Sequence, residues 1–340
     1  MFDFSSTINL PLIWGLLIAT AIFLYVLLDG FDLGVGILFP FAPSDKCRDR
    51  MMNSIAPFWD GNETWLVLGG GGLFAAFPLA YSILMPAFYI PIILMLVGLI
   101  MRGVAFEFRF KSEGRSRRLW DYAFHFGSLT AAFFQGVILG AFVQGVEVDG
   151  RNFVGHPFSW ATSFSIMTGV ALIFGYALIG STWLIMKTED VTLEWSRKVA
   201  SYVLIFVGIF MAIVSICMPL INEQIREFWF SKPNFYYLLA IPLITCGLFA
   251  MLWYDLFCSK FEYRPFCLSV AIFLMGYLGL GISIFPWIVP FKYNLWEAAA
   301  SGPGLSLMLA GTAPLLPLIL AYTGYSYYIF RGKTDHEHMY

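Results

Sequence analysis

The sequence predicts an all-α polytopic membrane protein with nine transmembrane helices. Three observations carry this. Of the 340 residues, 59% are hydrophobic and only 12% charged, against about 25% charged in a soluble domain, and the mean hydropathy is +0.75. The apolar runs reach the ~20 residues a helix needs to cross a ~30 Å hydrocarbon core, too long for the strands of a barrel. Lys and Arg also alternate between loops in the way that fixes membrane topology.

In chain order the apolar runs are roughly 9–41, 57–77, 79–101, 120–144, 160–186, 198–220, 235–257, 266–289 and 304–330. They make one integral membrane domain over 1–340, grouped as four spans in 9–144, four in 160–289 and a last in 304–330. Region 57–101 decides the count. As one helix it would be nearly 70 Å long at about 1.5 Å per residue, so two spans hinged near Pro78 are expected. Nine spans place Arg151, Arg226, Lys232 and Lys292 on one side and the other sixteen of the twenty Lys and Arg on the opposite side. Merging 57–101 narrows that split to 13 against 7. Positive charge stays in the cytoplasm, so the N-terminus is expected outside and the C-terminus in the cytoplasm. Leu10 to Leu28, with no Lys or Arg before Lys46, is expected to be a retained span rather than a signal peptide.

The first span enters the cytoplasmic half as Leu27-Leu28-Asp29-Gly30-Phe31-Asp32-Leu33-Gly34-Val35-Gly36. Asp29 and Asp32 share a face, and Gly30 and Gly34 offer a small-xxx-small surface for close helix contact. Loop 42–56 is charged and expected to be mostly solvated. The second span begins Pro57-Phe58-Trp59-Asp60-Gly61-Asn62-Glu63-Thr64-Trp65. Spacings of i,i+3 and i,i+4 set Asp60, Glu63 and Thr64 on one helical face. These residues suit a helix cap. They also suit a polar site, because acids in a membrane cost several kcal/mol unless partnered or wetted and four of them fall in one half of two neighbouring helices. Gly69 to Gly72 fit a close helix or cofactor approach, or a bend, and lack any nucleotide-loop spacing.

The third span ends with Arg102, Glu107 and Arg109, which can anchor at the interface or pair with those acids. Lys111, Arg115, Arg117 and Arg118 follow as a topology signal and a contact for anionic membrane lipid. The fourth span carries His125, Gln135 and Gln144; His125 reads as a packing residue or a single redox or proton group. Spans five to nine hold no charge except near their ends, such as Asp255, and read as packing, lipid-facing or partner surface. The aromatic stretch Phe285 to Glu297 fits an interfacial belt. Cys47, Cys217, Cys246, Cys258 and Cys267 have no CxxC spacing, so neither a disulfide nor a metal site is expected. His336 and His338 sit in a polar tail. The net charge of −2 says nothing about partners, and no basic patch suggests nucleic acid, so none is expected.

Asp29-Gly-Phe-Asp-Leu-Gly-Val-Gly36, Ser54-Ile-Ala-Pro-Phe-Trp-Asp-Gly-Asn62 and Gly72-Leu-Phe-Ala-Ala-Phe-Pro78, with Arg102 to Arg109 and Trp183 to Glu189, resemble subunit II of cytochrome bd-type quinol oxidases. The shorter chain and Phe58-Trp59-Asp60 resemble the cyanide-insensitive ubiquinol oxidase branch. Other members have a His where Phe58 stands, so a proton role for that His does not carry over. The resemblance implies two four-helix bundles plus a peripheral helix in the bacterial inner membrane. It implies a homologous subunit I holding two haems b, one haem d and the quinol site, and a small single-span subunit in many members. The complex oxidises quinol, reduces O₂ to water and draws its protons from the cytoplasm. Subunit II itself binds no haem, some members hold a structural quinone, and acids matching Asp32 and Asp60 lie on a proposed proton route. From both lines the proton-path candidates are Asp60, Asp32, Asp29, Glu63 and Thr64, with Glu107 an addition. An ion-coupled secondary transporter with buried acids is the alternative. It predicts broken helices in both halves, whereas the acids here occur only in the first.

Overall fold

The structure, a computed structural model, describes residues 9–258 and 261–334. The tail histidines His336 and His338 lie outside the described residues. The chain is helical throughout, apart from two short antiparallel ribbons in the loops, β1 (Val148–Asp149) with β2 (Asn152–Phe153) and β3 (Trp287–Val289) with β4 (Tyr293–Asn294). Among the described residues, eight helical segments are long and apolar enough to cross a membrane. Those of the first half are α1 (Leu10–Leu38), continued by a 3₁₀ turn at Phe39–Phe41, α4 (Pro78–Arg109) and α5 (Gly114–Gln144). Then follow α6 (Ser163–Lys187), α7 (Asp190–Ile221), α9 with α10 (Asn234–Leu238 and Ala240–Phe257), α11 (Tyr263–Ile284) and α13 (Gly302–Ile329). The expected ninth crossing is α3 (Trp59–Ala76). Its 18 residues reach about 27 Å at 1.5 Å per residue, but its acids, amide and glycines leave it less apolar than the rest.

The chain does break before Pro78. Phe77, at φ −132° and ψ 63°, lies outside the helical region that a following proline disfavours, and Pro78 then supplies the first residue of α4. Within α4, Pro86 and Pro91 flank Phe88, whose φ −116° and ψ 15° are non-helical. Prolines remove ladder hydrogen bonds and crowd the preceding turn, which accounts for this kink.

Loop 42–56 departs from expectation. It folds as α2 (Asp45–Ile55), started by Ser44 Oγ accepting from Cys47 N at 3.2 Å. Its charges disguise an inward face: Cys47, Arg50, Met51, Met52 and Ile55 are buried, and Arg50 donates to the Glu189 carbonyl at 2.7 Å. The following basic stretch is not a loop either, since α5 begins at Gly114. The segment after α7 holds α8 (Glu223–Phe230), and α12 (Leu295–Ala298) precedes the last span.

Helix α6 is the most enclosed span, packed between α1, α5, α7 and α11. Its contact with α1 is close because both helices present glycine there. A Cβ on Gly180 would sit 2.5 Å from the Gly34 carbonyl carbon, and one on Gly34 would overlap the Tyr176 carbonyl oxygen. Gly98 and Gly127 do the same between α4 and α5. This is the small-residue approach expected of helices packed in lipid. Gly34→Ala is therefore expected to force α1 and α6 apart and cost about 1–3 kcal/mol, as other overpacked sites do. Thermal denaturation of the purified protein would register this as a lowered Tm. Gly70→Ala serves as the contrast, since its Cβ meets nothing of this chain within 4 Å. Of the glycine run, Gly69 and Gly72 lie against Ile22 and Ile18 of α1, and Gly70 and Gly71 face outward.

Candidate functional site

Three helices bring charge into the interior at the end of the molecule that carries α2. Asp29 and Asp32 on α1 have no exposed surface and Arg102 on α4 is 2% exposed. Arg102 donates to Asp29 Oδ1 at 2.5 Å through Nη1 and to Glu63 Oε2 at 2.9 Å through Nη2. The guanidinium thus lies between two carboxylates, matching its planar fork of donors. Asp32, one turn further along α1, has no such cation within bonding distance. Its Oδ2 accepts from Asn62 Nδ2 at 2.8 Å, and its Oδ1 has no partner among the described residues. Asp29 Oδ2 and Arg102 Nε are likewise without a hydrogen-bond partner. A gap too tight to admit a water molecule separates the side chains of Asp32, Ile55, Trp59, Arg102, Phe106 and Phe124.

Two further networks converge on these acids. Tyr327 of α13 donates to Asn62 Oδ1 at 2.8 Å, and Asn62 Nδ2 also donates to the Leu28 carbonyl at 3.2 Å. Both ends of the Asn62 amide are therefore engaged. On the other side, Tyr176 of α6 donates to Gln135 Oε1 at 2.6 Å, and Gln135 Nε2 donates to Tyr25 Oη at 2.6 Å. Tyr25 lies one helical turn before Asp29 and faces its carboxylate. The donors along Tyr176, Gln135 and Tyr25 run in sequence toward Asp29, so their dipoles and Arg102 together favour a negative charge there.

The structure thus gathers Asp29, Asp32 and Glu63 into one site and leaves the other candidates outside it. Asp60 and Thr64 lie on the exposed face of α3, continued by Val67, Gly70, Gly71 and Phe74, and Glu107 is exposed on α4. The pairing of Arg102 with the acids of the first two spans is borne out. Arg109 instead joins α2 and α5, reaching Asp49 at 2.8 Å and Asp121 at 2.5 Å. Sequence reasoning missed Asn62 as a ligand of Asp32, and it missed Tyr25, Tyr176 and Tyr327. The later helices are thus not packing surface alone. Asp255 is fully buried and paired with Arg264 at 2.7 Å, away from this site.

The donor set fits a carboxylate and amide network better than a haem or metal. The described histidines are His125, whose Nδ1 lies 3.3 Å from the Gly36 carbonyl oxygen, and His156, whose Nδ1 accepts from Phe158 N at 3.2 Å. These two supply no facing axial pair, so the described residues do not fit a bis-histidine haem site. Among the described residues no group of three or more His, Cys, Asp or Glu is placed to hold a metal ion.

Comparison with known proteins identifies the family. The family model described as cytochrome bd terminal oxidase subunit II matches residues 10–330. The chain belongs to that family. A cytochrome bd ubiquinol oxidase subunit 2 of Bacillus subtilis (strain 168) is 30% identical over 336 residues, covering 96% of this chain and 97% of the relative. A cytochrome bd-I ubiquinol oxidase subunit 2 of Escherichia coli (strain K12) is 29% identical over 374 residues, covering 96% of each. The solved structure of a bd oxidase from Geobacillus thermodenitrificans superposes with a TM-score of 0.72 at 9% identity, over 95% of this chain and 98% of that one. At that identity the likeness speaks for the fold. The cytochrome bd subunit II family and the eight apolar helices together make this a multi-pass membrane subunit of a terminal oxidase.

Proposed function

We propose that this chain is the haem-free second subunit of a quinol-oxidising, O₂-reducing complex in the bacterial inner membrane. Membership of the subunit II family carries this reading. The relatives are named as subunits of ubiquinol oxidases, which supports quinol as the electron donor and a subunit I as partner. That partner would hold two haems b and one haem d, with the quinol-oxidation site. A structural quinone and a small single-span subunit belong to the same reading. The nine-span arrangement, two four-helix bundles with α13 peripheral, puts the N-terminus in the periplasm and the C-terminus in the cytoplasm. The positive-inside distribution supports it.

The chain's own chemistry would be proton delivery from the cytoplasm toward the haem-bearing partner. A buried, ionisable carboxylate outside any direct ion pair can gain and lose a proton, whereas one held in a tight ion pair stays ionised. Geometry therefore reorders the candidates. Asp32, with one free oxygen, suits an inner proton station. Asp29 and Glu63 hold Arg102 and set the local charge. Asp60 and Thr64 lie on the outer face of α3 as entry or partner-contact groups, and Glu107 is a further surface acid.

Purification of the chain with its co-purifying subunits tests the assignment. A reduced-minus-oxidised spectrum is expected to show haem b and haem d bands together with quinol-driven O₂ consumption. Both should follow the larger partner when the subunits are separated. A chain isolated without partner, haem or oxygen consumption would sink the assignment.

A further inference from the structure

We propose that Tyr327, on the last helix, is a positioning residue for proton exchange at Asp32, acting through the orientation of the Asn62 amide. The proposal rests on the reading of Asp32 as a proton station and adds the element that holds it. An amide can present either its NH₂ or its oxygen to a carboxyl group. Facing Asp32 with NH₂, Asn62 can meet the ionised acid; facing it with oxygen, it can meet only the protonated acid. The NH₂ face thus favours the ionised acid, and the oxygen face requires the protonated one. In the structure Nδ2 faces Asp32 at 2.8 Å and Oδ1 faces the Tyr327 hydroxyl at 2.8 Å. The Leu28 carbonyl, which can only accept, takes the second N–H at 3.2 Å. The Leu28 carbonyl selects the NH₂-inward state, and the Tyr327 hydroxyl, as donor to Oδ1, holds the amide in it.

The geometry of Tyr327 is itself fixed. Its ring stacks on Phe58 with centroids 4.3 Å apart and planes 11° from parallel, and it meets Phe31 and Trp183 edge-on. Below Phe58, Lys187 Nζ donates to the carbonyls of Phe330 and Gly332, tying the end of α13 to the end of α6. The charged and titratable groups facing Asp32 are Asp29 on its own helix, Glu63 on α3, Arg102 on α4 and Tyr327 on α13. Tyr25 and Tyr176 lie beyond Asp29. Tyr327 alone among these reaches Asp32 through the amide.

Tyr327→Phe in the assembled oxidase tests this, because it keeps the ring and removes only the hydroxyl donor. Turnover and electrogenic proton uptake are expected to fall about threefold to tenfold, the scale of one lost hydrogen bond. The pH profile of turnover should move, while the haem spectrum and quinol KM stay unchanged. Tyr325→Phe, which removes an exposed hydroxyl of the same helix, is expected to leave that pH profile in place. Added to Asp32→Asn, Tyr327→Phe is expected to cause no further loss, because both act on one station. If Tyr327→Phe retains wild-type rate and pH profile while Asp32→Asn is impaired, the positioning role is overturned and the station stands. If Asp32→Asn itself turns over normally, the station falls and this role with it.

Discussion

Arg102→Met is expected to destabilise the protein by about 3–5 kcal/mol, the cost of removing one partner from a buried ion pair. The substitution keeps an unbranched side chain and removes both donors of the fork. Asp29, with no exposed surface, would lose its 2.5 Å contact and remain an acid in an apolar interior. Glu63, with a third of its side chain exposed, can rehydrate and accounts for the smaller part. Yield of assembled complex and Tm are the measurements. Arg102→Met combined with Asp29→Asn should recover much of the loss, because removing both charges avoids the orphaned acid. A single variant as stable as the parent would show that the pair carries little.

Asp32→Asn is expected to fold and assemble while turnover falls about tenfold or more, equivalent to about 1.4 kcal/mol or more on the limiting barrier. Asparagine has nearly the same shape as aspartate and cannot release or accept a proton at that position. Asp32 already meets an amide and makes no ion pair at bonding distance, so neutralising it orphans no cation. Quinol oxidase assays alongside the reduced-minus-oxidised spectrum separate catalysis from assembly. Asp60→Asn, on an exposed face, is expected to act more weakly unless the partner subunit covers that face. Normal turnover of Asp32→Asn in an assembled complex would leave the acids as a purely structural cluster.

How much of the site is legible in the sequence follows from physical contrast. In a run such as Leu27 to Gly36 an acid stands out, because lipid tolerates it only with a partner or a role. Asp29, Asp32 and Glu63 stand out that way, and so does the nearby cation Arg102. Face-sharing proves a coarser guide. Positions three apart differ by about 60° around a helix, enough for Glu63 to turn inward while Asp60 and Thr64 face out. The helix α2 is obscured because Asp45, Lys46, Arg48, Asp49 and Arg50 read as solvent-facing, although Arg50 and its apolar neighbours turn in. Tyr327 carries no signal of its own. It sits among Tyr322, Tyr325 and Tyr328, a composition that resembles an interfacial belt, and only the approach of α13 to α3 distinguishes it.

The ion pair between Asp29 and Arg102 spans 73 positions, and that separation constrains biosynthesis. At about 5–20 residues per second, the ribosome makes Asp29 roughly 4–15 s before it makes the arginine. During that interval the first helix carries two acids with no compensating charge from its own chain. It cannot settle in lipid as an independent unit without cost. That cost falls only when the fourth helix brings its arginine, which favours a biosynthetic order in which α1 and α4 settle in lipid together.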